Sequence, residues 1–217
     1  PLPGRTAMCV GKCSRIVGPC LLVLGSLSMA ASILLLFPAG APQYLLEGHI
    51  SRHAKAVPGL WGGGIAVSTA GRARPPSRLW SGGRGMEQGR WLPFAFLSVV
   101  LSKLALLGAA SCFVLCGVGL SNGPLCLYNS SELGLGHGAL WGYPFLDAID
   151  QGPNARAESY LYNRSTWSIC LEPEGIVPWH VALFSLLLLI SAAEVVLALL
   201  QILNGCLGCL CGLCEGK

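Results

Sequence analysis

The apolar positions of this chain come in long blocks; they show neither the spacing of an amphipathic helix nor the alternation of a strand. Residues 16–37 run for 22 positions without a charge. As a helix at ~1.5 Å per residue they would extend about 33 Å, which matches a hydrocarbon core of roughly 30 Å. The block predicts a first membrane span. A signal peptide carries a shorter apolar region of about 7–15 residues, and Pro38-Ala39-Gly40-Ala41 offers only a weak cleavage site, so the span is expected to be retained. A further block at residues 94–120 is broken only by Lys103, with 17 uncharged residues from Leu104 onward. The last block, residues 177–203, opens on Pro178 and Trp179 and carries one carboxylate, Glu194. A first-turn proline and an interfacial tryptophan both suit the start of a spanning helix.

Residues 58–70 are harder to place. Thirteen positions containing Gly62-Gly63-Gly64 give only about 20 Å of helix, too little to span by length alone. Parity argues for a crossing. Lys12 and Arg15 ahead of the first block place the N-terminus in the cytosol, and four crossings then put the loop over 121–176 outside, whereas three would put it inside. Residues 71–93 hold five arginines (Arg72, Arg74, Arg78, Arg84 and Arg90), which marks them as cytosolic, and their Gly, Pro, Ser and Arg composition predicts disorder.

The expected organisation is a cytosolic N-terminus (1–15), span 1 (16–37), a short extracellular loop (38–57) and a short span 2 (58–70). A cytosolic Arg/Gly-rich loop (71–93), span 3 (94–120), a large extracellular loop (121–176), span 4 (177–203) and a cytosolic Cys-rich tail (204–217) follow. Nine bases then lie inside and four outside, the sense that the positive-inside rule requires. The fold class is an all-α membrane protein, a four-helix transmembrane bundle with a disulfide-stapled extracellular loop between spans 3 and 4. Composition agrees: 53% of residues are apolar and 11% charged, against about a quarter charged in soluble domains. A net charge of +4, scattered along the chain, argues against a nucleic-acid partner.

The large loop contains Asn129-Ser130-Ser131 and Asn163-Arg164-Ser165, two N-glycosylation acceptors in the loop that topology places outside. Cys126 and Cys170 are the only thiols on that side. A disulfide between them would close about 44 residues and stabilise an exposed loop by a few kcal/mol; free thiols or intermolecular pairs are the alternatives. Trp141, Tyr143, Phe145, Tyr160, Tyr162 and Trp167 supply the apolar content of a small folded cap.

Cys206, Cys209, Cys211 and Cys214 have the right number of thiolates for zinc, but zinc sites usually separate their pairs by a longer segment. Juxtamembrane cysteines are palmitate acceptors, with Cys9 and Cys13 as secondary candidates, and unmodified thiols are the bland reading. Glu194 inside a span is a functional hypothesis by default. Lys103 lies at a similar depth, which predicts an intramembrane polar pair if the two helices are neighbours; proton or ion transport is the other reading.

His49, His53, His137 and His180 show no arrangement for a metal or a catalytic base, although His49 and His53 are four apart. No Gly-x-Ser-x-Gly, phosphate loop or paired-carboxylate cleft occurs, and the three glycines at 62–64 fit close helix packing better than phosphate binding. The residues thus predict no enzyme, no cofactor, no metal and no small-molecule substrate.

Several segments together resemble the transmembrane-four L-six family. They are Met8-Cys9-Val10-Gly11-Lys12-Cys13-Ser14-Arg15, Gly59-Leu60-Trp61-Gly62-Gly63-Gly64, Asn122-Gly123-Pro124-Leu125-Cys126, Trp141-Gly142-Tyr143-Pro144-Phe145, and Tyr160 through Trp167. Cys170-Leu171-Glu172-Pro173, Val177-Pro178-Trp179 and Gln201-Ile202-Leu203-Asn204 complete the pattern. True tetraspanins carry a Cys-Cys-Gly motif in the large loop, and it is absent here. Residues 71–97 depart from the family pattern, as do the seven residues before Met8.

The resemblance implies a multi-pass scaffold or adaptor of the plasma membrane or endolysosomal membrane. It would organise other integral membrane proteins (integrins or tetraspanin-like proteins) by lateral association in the lipid bilayer, with links to adhesion, migration and proliferation. A regulator of membrane transport using Glu194 and Lys103 is the alternative.

Overall fold

The computed structural model describes residues 4–56, 59–72, 88–129, 138–147 and 160–214. The chain begins with α1 (Gly4–Leu35), followed by the single-turn helices α2 (Gln43–Leu46) and α3 (Arg52–Lys55). A π-helix over Gly59–Ala66 runs into α4 (Val67–Arg72), and α5 (Gln88–Asn122) follows. Strands β1 (Cys126–Asn129) and β2 (Ala139–Gly142), a short α6 (Pro144–Asp147), β3 (Cys170–Glu172) and α7 (Ile176–Cys214) complete the order.

Three helices among the described residues are long and apolar enough to cross a bilayer, over Ile16–Leu35, Val100–Asn122 and Ile176–Asn204. In hydrocarbon every backbone N–H and C=O must be paired within the segment, which is why these apolar blocks form uninterrupted helices. Even Pro19 sits inside α1 without ending it. The helices also run further than the apolar blocks: α1 begins at Gly4, α5 at Gln88, and α7 continues through the cysteine tail to Cys214.

The second segment is short among the described residues. The π-helix and α4 together cover residues 59–72, about 20 Å at ~1.5 Å per residue, well short of a spanning length. The apolar run itself ends in the sequence at Ala70, where glycine and arginine follow.

Contacts divide the chain into two units, to each of which the three long helices contribute a stretch. The first comprises Pro1–Met29, Gly59–Ser111 and Ile190–Lys217; its core is Val17, Leu21, Val67, Ala105 and Ala109. The second comprises Ala30–Pro58 and Cys112–Leu189; Ala31, Leu35, Ile50, Ala54, Cys112, Cys116, Leu183, Phe184 and Leu187 form one of its cores. Small residues recur in both cores, as expected where helices associate by close packing instead of escape from water.

The large loop departs from an all-α description. Its strands form an antiparallel sheet in the order β2-β1-β3, with Cys126 opposite Gly142 and Tyr128 opposite Leu140 in one register and Tyr128 opposite Cys170 in the other. A second core of that unit, Cys126, Phe145, Tyr160, Ile176 and Val177, lies with this sheet and the start of α7. Gly123 makes the turn out of α5. Its φ of +77° is the left-handed value that ends helices, and a Cβ there would stand 2.8 Å from the Phe145 ring.

Candidate functional site

The large loop folds as a cap. Cys126 and Cys170 form a disulfide that closes a separation of 44 residues, with their Cα atoms 5.5 Å apart. Tyr160 lies buried against Phe145, ring centroids 4.4 Å apart, and donates its hydroxyl to the Leu120 carbonyl in the last turn of α5. Burial pushes the Tyr160 phenol well above the usual tyrosine range. Trp167 donates Nε1–H to the Tyr160 carbonyl at 2.8 Å, and the Arg164 guanidinium stands 5.7 Å from the Trp167 ring centroid. Of the six aromatics expected to fill the cap, Tyr162 is instead 90% exposed.

The short loop over residues 38–57 is bound to this cap. His49 stacks on Trp141 with ring centroids 4.0 Å apart and planes 2° from parallel, and Tyr44 leans on the same indole at 6.3 Å. The Arg52 backbone N–H donates to the Tyr143 hydroxyl at 3.0 Å. In the same unit His180 of α7 donates Nε2–H to the Gly119 carbonyl at 3.0 Å. A small cavity of about 20 Å³ lies between the short loop, the residues just after α5 and the start of α7, lined by His49, Ser51, Trp179 and His180 among apolar neighbours. His137 lies outside the described residues.

Within the first unit, Glu194 of α7 is fully buried and neither carboxyl oxygen has a hydrogen-bond partner. It stands beside the π-helix. A Cβ on Gly63 would come within 2.5 Å of the Ser28 Oγ and 2.8 Å of the Glu194 Oε2, so only glycine admits both groups at this point. Ser28 in turn donates to the Gly59 carbonyl at 3.2 Å. The glycine run therefore serves close helix packing.

The expected Lys103–Glu194 pair does not form. Lys103 is exposed, and no ion pair joins it to Glu194. The reason is azimuth. The buried face of α5 in this unit carries Ser102, Ala105 and Ala109; at about 100° per residue Lys103 sits roughly 100–160° around the helix from them.

Asn163 caps a short 3-10 helix over Arg164–Ile169, its Oδ1 accepting from the Ser165 backbone N–H at 3.1 Å and from the Ser165 hydroxyl. Asn129 ends β1 opposite Ala139. Cys9 and Cys13 lie in α1, and Cys206, Cys209, Cys211 and Cys214 lie in α7; their side chains fall outside the described ones. Neither the His49–Trp141 stack nor Ser28 was signalled along the chain, because neither carries a spacing that marks a contact. The glycine run was the one available signal for the Gly63 contact.

Three apolar crossings, a half-length segment and a disulfide-closed loop ahead of the final span define a multi-pass membrane protein. Residues 8–215 match the family model for the L6 membrane protein, a stretch that includes the divergent 71–97 segment. Over 206 residues the chain is 42% identical to Transmembrane 4 L6 family member 19 of Homo sapiens, covering 94% of this chain and 93% of that protein. Identity to the Mus musculus member 19 is 39% over 215 residues, 97% of each. Identity to the Homo sapiens member 1 is 36% over 215 residues, covering 95% and 96%. The chain belongs to the L6 membrane protein family. No solved structure matches it.

Proposed function

We propose that this protein is a non-enzymatic scaffold that gathers other integral membrane proteins by lateral association, with both loops outside and both termini and the 71–93 segment in the cytosol. The observation that carries the reading is the division of labour in the chain. Large aliphatic side chains such as Val23, Leu107 and Leu189 stay exposed along the spans, where lipid or a neighbouring helix would cover them. The loops, by contrast, fold into a stapled cap that presents Tyr162.

Asn129 and Asn163 are the proposed glycan acceptors. The terminal cysteines Cys206, Cys209, Cys211 and Cys214, with Cys9 and Cys13, are the proposed thioacylation sites, and each buried CH₂ of an acyl chain adds about 0.8 kcal/mol of anchoring. By family resemblance the partners are integrins or tetraspanin-like proteins at the plasma membrane or an endolysosomal membrane. A transport role would call for polar groups facing one another across the spans, and the outward position of Lys103 weighs against it.

The test is proximity labelling in cells combined with glycosidase-shift mapping of Asn129→Gln and Asn163→Gln. The expected result is enrichment of multi-pass and adhesion proteins together with a glycan shift lost in the variants. Absence of any shift in the unsubstituted protein would reverse the topology, and a labelling profile without membrane partners would overturn the scaffold.

A further inference from the structure

We infer that the second segment is seated in a locally thin bilayer, so that its open face takes short acyl chains as its partner. The segment has a committed side and a bare one. On the committed side Val67 is fully buried, and a Cβ on Gly64 would run into Met29 of α1, just as one on Gly63 meets Ser28 and Glu194. The bare side carries Trp61, Ile65 and Thr69, spaced four apart, with Trp61 68% and Ile65 44% exposed. Thr69 donates its hydroxyl to the Ala66 carbonyl at 2.8 Å. Even the polar member of this face is thus satisfied within its own segment, the condition that hydrocarbon imposes.

The mismatch is one of length. Between Lys55 and Arg72 lie 16 uncharged residues, about 24 Å of helix at ~1.5 Å per residue, against a hydrocarbon core of roughly 30 Å. The three long apolar helices run for 20, 23 and 29 residues. The two cases are not symmetric. A long helix meets a thin bilayer by tilting, whereas a short one cannot lengthen; it thins the lipid around it, lets flanking side chains snorkel, or oligomerises. The ends of the segment favour lipid as the cover. An exposed indole at Trp61 and a basic residue, Arg72, at the other end are the interfacial anchors of a crossing whose two ends meet headgroups. The inference rests on the proposed crossing of this segment, with residues 71–93 in the cytosol.

The experiment uses the full chain, one copy per lipid nanodisc, so that self-association cannot supply the cover. The lipids are phosphatidylcholines whose mono-unsaturated chains lengthen two carbons at a time from fourteen to twenty-two. Thermal unfolding of the unsubstituted protein is compared with that of a variant carrying Leu-Leu-Ala-Leu-Leu-Ala inserted after Ala70. The insertion lies beyond the packed Gly63, Gly64 and Val67 and lengthens the uncharged run from 16 to 22 residues, the length of the first apolar block. Arg72→Leu, which extends the run to Ala73, serves if the insertion fails to fold. The expected result is a midpoint for the unsubstituted protein that is highest in chains shorter than eighteen carbons, with a maximum at least one step longer in the variant. A maximum at eighteen carbons or more in the unsubstituted protein, or one that stays in place in the variant, overturns the inference. An epitope inserted after Gly82 tells this failure from a failed topology. Epitope reached only after cells are permeabilised upholds the crossing and leaves the acyl-chain series to decide; epitope reached on intact cells brings down the topology and this inference together.

Discussion

Tyr160, forty residues beyond Leu120 in the chain, donates its hydroxyl to the Leu120 carbonyl and so satisfies an acceptor that the end of α5 leaves open. The contact ties the cap to the span that leads into it, while the disulfide joins the first residue of β1 to the first residue of β3 and so fixes the return strand.

Tyr160→Phe keeps the ring against Phe145 and removes only the donor, leaving a carbonyl without its partner. It should cost about 1 kcal/mol. Thermal unfolding of the detergent-solubilised protein, followed by near-UV circular dichroism of the loop aromatics, checks this; an unchanged midpoint would mean that water replaces the hydroxyl.

The same phenol gives the cap a pH dependence. Burial raises its titration above the ordinary tyrosine value of 10.0, so the folded state keeps a proton that the unfolded chain releases near there. The sign follows from linkage: the contribution is fully present below about pH 10 and is lost as the pH climbs toward the folded value. Midpoints measured from pH 8 to 11 should fall more steeply for the unsubstituted protein than for Tyr160→Phe.

Removing the staple should be the larger injury. For a separation of 44 residues the chain-entropy model gives about 4 kcal/mol. Cys126→Ser with Cys170→Ser is expected to reduce the surface-expressed fraction and to expose the loop to limited proteolysis, whereas the spans remain membrane-integrated after carbonate extraction.

Lys103 and Glu194 should behave as strangers. A double-mutant cycle of Lys103→Met and Glu194→Gln on thermal stability is expected to show coupling under about 0.5 kcal/mol, the usual limit for residues that share no contact. Coupling above 1 kcal/mol would restore the ion pair that the exposed Lys103 denies.

Gly63→Ala places a methyl 2.5 Å from one polar side-chain oxygen and 2.8 Å from another, so it should cost about 1–3 kcal/mol through forced displacement of Ser28, Glu194 or the π-helix. Alanine at the exposed Gly138, where nothing stands within 4 Å, meets no such clash. Its φ of +122° adds only local backbone strain, so comparing the two separates packing from conformation.

Much of this fold was legible because membrane spans announce themselves by length and absence of charge, and because two cysteines stood in the loop that charge and parity set apart. What escaped was whatever depends on rotation about a helix axis or on meetings between distant segments. Depth counted along the chain says nothing of azimuth, and one residue of phase turns a side chain from the packed face to the outside. Strands of three and four residues carry too few positions for alternation to register, so the sheet around Tyr128 was invisible. Trp141 was read as cap content, but nothing in its neighbourhood along the chain pointed to His49.

The disulfide and the Tyr160 contact tie the large loop back to β3 and to the end of α5. The entropy of closing a flexible segment grows only with the logarithm of its length, by about 0.6 kcal/mol per doubling. Doubling the 44-residue separation between the two cysteines would therefore burden this covalent closure by only about that amount.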